Sequence, residues 1–221
     1  MGFRDFVIES ESINLQISKS QNSSRRLGGI FYFRHMNEQH NPWKILAEKK
    51  IYENPWIKIT EFDVINPSGG KGIYGKVHFQ NIATGAIPLD ENLNTYLIGQ
   101  YRFPLNQYSW EIPEGGSTFG EDPLESAKRE LLEEAGLVAE EWTQIVEMHL
   151  SNSVSDEYAV IYLARNLSQQ MASPEETEQL QIKKLPFEEV YQMVERGEIT
   201  DAMSVAAILK VKLMLADGRI S

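Results

Sequence analysis

GGSTFGEDPLESAKRELLEEAGL, residues Gly115 to Leu137, is the stretch on which the reading of this chain turns. Asp122 is a strong helix N-cap and Pro123 suits the first helical position. Gly136 suits the left-handed position that ends a helix. The spacing therefore predicts a helix over 122–135, bracketed by its own start and stop signals. Placed at about 100° per residue, Leu124, Ala127, Leu131 and Ala135 share one face and are expected to bury against a sheet. Glu130, Glu133 and Glu134 fall on another side. Glu130 and Glu134 are four apart, so their carboxylates stack one above the other and repel by a few tenths of a kcal/mol. A divalent cation turns that repulsion into a ligand set.

Taken alone, an REL-x-EE helix is an ordinary solvated acidic face. The wider spacing argues otherwise: Gly115, five residues, Glu121, seven residues, Arg129-Glu130-Leu131, one residue, Glu133-Glu134, one residue, Gly136-Leu137. Seven fixed identities and two apolar positions arise by chance in a chain of this length with odds on the order of 10⁻⁷ at ordinary residue frequencies. Carboxylate oxygens suit hard cations such as Mg²⁺, which bind through one or two carboxylates plus substrate phosphates. A diphosphate repels an anionic nucleophile, and metal ions remove that obstacle while acidifying water.

Working outward, the flanking sequence predicts strands at 84–90 and 95–103, joined by the polar turn Asp90–Asn94, then strands near 143–150 and 157–165. A Pro- and Glu-rich loop containing Ser173–Glu176 precedes a strand at 179–183. Helices at 186–196 and 201–216 follow, each with a glycine just beyond it, Gly197 and Gly218. From Trp43 to about Asn81, short β-prone runs broken at Asn54-Pro55 and at Asn66–Gly70 predict a small antiparallel platform. The fold class is α/β in the α+β sense: a mixed sheet packed between helices, preceded by that platform. The expected division is an N-terminal extension over 1–41, a β subdomain over 42–82 and the main domain over 83–221.

The 221 residues carry a net charge of −11, with 42% hydrophobic and 24% charged residues. That acidity argues against nucleic acid as a partner, which needs concentrated Lys and Arg. No stretch has the length of apolar residues that a membrane span requires. The first residues carry acids where a secretory leader would be basic and apolar, so the protein is read as cytoplasmic. Zero cysteines exclude disulfides, a thiol nucleophile and a Cys-ligated zinc. Residues 1–35 hold a net +2 of the total, leaving −13 for the remainder. Their polar stretch SKSQNSSRRLGG reads either as a loosely ordered arm or as an extension upstream of a true start at Met36.

The spacing around Glu130 matches the Nudix box at every defined position, and the chain resembles the Nudix hydrolases, within them the ADP-ribose pyrophosphatase-like branch. Gln100-Tyr101-Arg102 and Trp110-Glu111-Ile112-Pro113-Glu114-Gly115-Gly116 look like that branch's lead-in to the box. The resemblance implies an α/β/α sandwich, Mg²⁺ (or Mn²⁺) as cofactor and a homodimer. It also implies Glu130 and Glu134 as metal ligands with Glu133 assisting, and the Glu114 carbonyl as a further metal contact. Glu157, in the loop 151–157, corresponds to the loop acid serving as general base or ligand, with Asp156 as the fallback. Arg102 is the expected phosphate grip; Glu111 and Trp56 are expected substrate contacts, Trp56 by stacking on a base. Gly115, Glu121, Arg129 and Gly136 are structural, Arg129 being placed to hold Glu133. Glu134 is expected to face solvent and metal, so that Glu134→Gln spares the fold.

One departure matters. Members that cleave ADP-ribose usually carry a proline about sixteen residues past the box, where this chain has Ser153. The implied reaction is hydrolysis of a nucleoside diphosphate sugar to a nucleoside monophosphate and a sugar phosphate, its small-molecule substrate. A dinucleoside polyphosphate or NADH is the alternative substrate, and a non-catalytic nucleotide-sugar-binding regulator the remaining reading.

Overall fold

Two asparagines fold the first strands back on themselves. In the computed structural model, which describes residues 40–171 and 180–221, the Asn54 side-chain oxygen accepts from the Trp56 and Ile57 N–H groups at 2.9 and 2.8 Å. Asn66 does the same for Ser68 and Gly70 at 3.0 and 2.9 Å, with Gly69 at φ +86°, where only glycine is unstrained. The product is an antiparallel meander of β1 (Lys44–Glu53), β2 (Ile57–Ile65) and β3 (Lys71–Phe79). β4 (Asn81–Pro88) starts one residue later. Residues Asn41 to Ser221 form one compact unit, and a boundary at 82/83 remains a proposal. The readings made for residues 1–39 and for Ser173–Glu176 lie outside the described residues.

The central sheet runs β7 (Glu114–Thr118), β4, β9 (Tyr158–Gln169), β8 (Leu137–His149), with β4 and β9 parallel and the other pairs antiparallel. Beside it stands an antiparallel sheet ordered β10 (Gln181–Pro186), β5 (Asn94–Arg102), β6 (Gln107–Glu111). β9 reads as a near-continuous apolar run because both of its faces are covered. Ala159, Ile161 and Leu163 belong to the core cluster of α2 (Phe187–Glu195) and α3 (Ala202–Ala216), through Val190, Ala207 and Ile208. Val160 and Tyr162 pack with Ala127, and Ala164 with Leu131 and Ala135, all three on α1 (Pro123–Ala135). Helices thus flank the mixed sheet on both sides, as expected.

Asp122 accepts from the Leu124 N–H at the start of α1, and Gly136 closes it at φ +64°. Gly197 and Gly218 also have positive φ, just past α2 and α3. The differences from expectation are local. β8 begins at Leu137, directly after the α1 cap, and carries a bulge between Gln144 and Val146. β6 and β7 are strands not anticipated from the sequence; for β7, Pro113 and the Gly115-Gly116 pair lower strand propensity. Among the described residues no helix is long and apolar enough to cross a membrane.

Candidate active site

Gly115 sits where a side chain has no room. A Cβ built on it would collide with the carboxylate of Glu130, so the glycine lets the α1 carboxylate lie directly against the β7 backbone. One residue earlier, the Glu114 N–H donates to Glu134 Oε2 at 2.9 Å. The two box glutamates are therefore anchored at the Glu114–Gly115 corner. The expectation that Glu134 faces solvent is corrected: it is 3% exposed, because that hydrogen bond draws it under β7. Arg129 also departs from expectation. It binds Glu121 at 2.7 Å, the Gly116 carbonyl at 3.3 Å and Glu130 at 3.3 Å, and these contacts, not Glu133, take up its guanidinium. Glu121 is held below its usual pKa by the Arg129 hydrogen bond.

The corner opens on a cleft of about 640 Å³ lined by Trp56, Arg102, Glu111, Glu114, Glu157 and Asp201 among others. Arg102 bridges two carboxylates. Its Nε and Nη2 donate to Glu111 at 2.6–3.1 Å, and Nη2 donates to Glu114 Oε1 at 2.9 Å. Burial lowers the Arg102 pKa, but the Glu111 and Glu114 carboxylates more than offset this, and the net shift is upward. Glu111 is buried and also accepts from Gln100 Nε2 at 3.2 Å. It therefore holds Arg102 in place, and its own carboxylate is taken up by that work. Trp56 stands at the mouth, 69% exposed.

Sequence reasoning missed Asp201. It caps α3 by accepting from the Ser204 N–H at 2.8 Å, while the Ser204 hydroxyl accepts from the buried Ile112 N–H at 2.9 Å. That pair of bonds ties the start of α3 to the β6–β7 corner. Carboxylate oxygens of Glu111, Glu114 and Asp201 come within 4.8 Å of one another. The only advance signal was a helix cap at the right place, which carries no mark of function. Burial first, then the Asp201 and Glu111 charges, push Glu114 well above the usual carboxylate range. Its Oε2 is buried and finds no hydrogen-bond partner among the described residues. That orphaned Glu114 oxygen, at the corner where Glu134 is anchored, is an acceptor that suits a hard divalent cation.

Glu157 and Asp156 are neighbours with different surroundings. Glu157 lines the cleft and is pushed upward in pKa by burial and by the Asp201 charge. Asp156 points at the platform: Oδ1 accepts from the Phe79 N–H at 3.0 Å, and Oδ2 meets His78 Nδ1 and Lys76 Nζ at 2.9 Å. Burial acts to raise its pKa, but the Lys76, Phe79 and His78 contacts outweigh this and lower it.

An acidic helix anchored under a glycine-containing strand opens on a cleft that holds a guanidinium, an arrangement suited to divalent cations and anionic groups. Comparison with known proteins gives the family. The NUDIX domain model matches residues 80–206, and a nucleoside diphosphate sugar hydrolase N-terminal domain matches residues 43–77. The chain belongs to the Nudix family and is a Nudix hydrolase. It is 33% identical over 155 residues to an ADP-ribose pyrophosphatase of Mycobacterium tuberculosis, covering 67% of this chain and 73% of the relative. It is 28% identical over 172 residues to an ADP-ribose pyrophosphatase of Bacillus subtilis, covering 77% and 92%. The crystal structure of an ADP compounds hydrolase superposes with a TM-score of 0.72 at 22% identity, over 80% of this chain and 97% of the other. That last likeness speaks for the fold alone.

Proposed function

We propose that this hydrolase cleaves the diphosphate of an ADP-ribose-like nucleoside diphosphate sugar, releasing a nucleoside monophosphate and a sugar phosphate. The observation that carries the reading is the Gly115 corner, where two α1 carboxylates meet the strand beside Arg102. That two of its relatives are ADP-ribose pyrophosphatases supports the substrate class. Glu130 and Glu134, with Glu133 assisting and Glu114 at the corner, would hold divalent cations, Mg²⁺ or Mn²⁺. Bound there, the cations would neutralise the diphosphate and lower the pKa of water.

The remaining roles fall to the chain's own side chains. Arg102 offers its remaining guanidinium face to a phosphate oxygen, prepositioned by Glu111. Glu157 accepts the proton of the attacking water, and its raised pKa brings it closer to the working pH, where a general base is most effective. Trp56 gives a flat apolar face to a base or sugar at the mouth. Gly115, Glu121, Arg129 and Gly136 keep α1 and β7 in register. Large apolar side chains on the platform, among them Ile45, Leu46 and Ile73 at 56–69% exposed, support a homodimer through the platform.

The test is a panel of nucleoside diphosphate sugars with NADH and a dinucleoside polyphosphate, each with Mg²⁺, and product identification by mass. Expected is turnover of nucleoside diphosphate sugars with sugar phosphate among the products. Preferential cleavage of NADH or the dinucleoside polyphosphate would reassign the substrate. No turnover of any member would leave the catalytic reading without support.

A further inference from the structure

Lys76, His78 and Tyr74 lie on β3 of the platform, and all three reach the loop 151–157, which carries the proposed base. The attachment has two layers. The backbones are joined where Val77 N–H donates to the Val154 carbonyl at 2.9 Å and Asp156 N–H donates to the Val77 carbonyl at 3.2 Å. A short parallel bridge pairs Val77 with Ser155. Side chains add the second layer. The Tyr74 hydroxyl donates to the Ser153 carbonyl at 2.5 Å, and Asp156 takes the Phe79 N–H, His78 and Lys76. Within the loop, Ser155 Oγ donates to the Ser151 carbonyl at 3.1 Å and accepts from the Glu157 N–H at 3.4 Å. Every bond of the outer layer ends within four residues of Glu157.

We propose that Asp156 is the positioning residue for Glu157, and that β3 of the platform is the rail to which it fixes the loop. The inference rests on the assignment of Glu157 as base. An exposed loop of this length with polar residues has many conformations open to it, and each ordered residue costs conformational entropy. A general base must stay within hydrogen-bond reach of the proton it takes. Asp156 meets that need from the adjacent position. Its carboxylate is a fixed acceptor for one backbone N–H and two cationic or ring donors, and such charge-assisted bonds are short and directional. The two acids thus divide the work: Glu157 turns to the cleft, while Asp156 turns to the strand and sets where Glu157 points. The platform accordingly contributes to turnover through this chain's own β3, whatever its oligomeric state.

The test is a double-mutant cycle on the full chain, using the panel's fastest substrate with saturating Mg²⁺. Asp156→Ala is expected to lower kcat by about 10- to 100-fold, the scale of a catalytic group displaced by an ångström or so, with KM within about twofold. In a Glu157→Gln background the same substitution is expected to have almost no further effect on kcat, because the positioned group is already gone. Tyr74→Phe removes an independent tie and should follow the same pattern with a smaller drop, which serves if Asp156→Ala fails to fold. Glu157→Gln impaired with Asp156→Ala and Tyr74→Phe silent would overturn the positioning role alone. So would full, additive losses in the Glu157→Gln background. Wild-type kcat in Glu157→Gln itself would remove the base assignment and this inference with it.

Discussion

Gly115 shows how much a single residue can carry. Its importance lies in the absent Cβ, which leaves the Glu130 carboxylate against the strand. Gly115→Ala should force the two apart, lowering kcat by about 10²-fold or more with weaker Mn²⁺ binding in calorimetry. The helix should keep its far-ultraviolet circular dichroism, since α1 is capped independently by Asp122 and Gly136. Glu134→Gln should reduce kcat by several powers of ten. The amide oxygen can still accept the Glu114 N–H, so the fold should survive, though for a different reason than solvent exposure. A variant of either kind with wild-type turnover would remove the corner from the mechanism. The box glutamates stood out through the full spacing from Gly115 to Leu137 and the resemblance it carries, since the helical period alone reads as a solvated acidic face. The burial of Glu134 was not, since helical phase gives a direction and does not say what another strand places there.

At the scale of elements, the start of α3 is where the sequence said least. The reading anticipated a helix from 201 and had no way to place its cap in the cleft, because the corner it meets lies about ninety residues earlier in the chain. That placement has a pH consequence. Burial raises the pKa of Glu157, and Asp201 adds to that by like-charge repulsion. A base must be ionised to act, so activity should rise with pH through the raised Glu157 pKa. Asp201→Asn removes the charge and keeps a good N-cap. The Glu157 pKa should fall, and the acidic limb of the kcat profile should move to lower pH. A limb that stays in place would mean that another group controls it. β6 and β7 were hidden for a related reason. The two glycines of β7 and the Pro113 before it look like turn residues, yet β7 pairs with β4 from Asn81↔Thr118 to Gly85↔Glu114. The approach of Glu130 to Gly115 and of the Asn81 side chain to Gly116 leaves no space for side chains at those two positions of the strand.

For the whole molecule, the layered body was readable from alternation, while the platform's role was not. β9 alternates between the two helical layers, and that pattern is written in consecutive apolar residues from Ala159 to Ala164. The platform is different: every residue of β1 is exposed, although Ile45, Leu46, Ile51 and Tyr52 are large and apolar. A three-stranded sheet with so much uncovered apolar surface is weakly supported by its own contacts. In the proposed homodimer, burial against a second copy would supply what it lacks, at roughly 25 cal/mol per Å² of apolar surface covered. The chain is therefore expected to sediment at twice its 25.3 kDa at micromolar concentration. Ile45→Glu with Ile73→Glu, one on each face of the platform, should shift it to the monomer, because a charge would have to be desolvated in the contact whichever face forms it. If β3 positions the loop from within its own chain, the monomeric variant should retain the non-additivity between Asp156 and Glu157 even where its overall rate falls. Loss of that coupling on dissociation would mean that the loop is set from across the dimer, and a wild-type chain sedimenting as a monomer would leave the exposed platform without this partner.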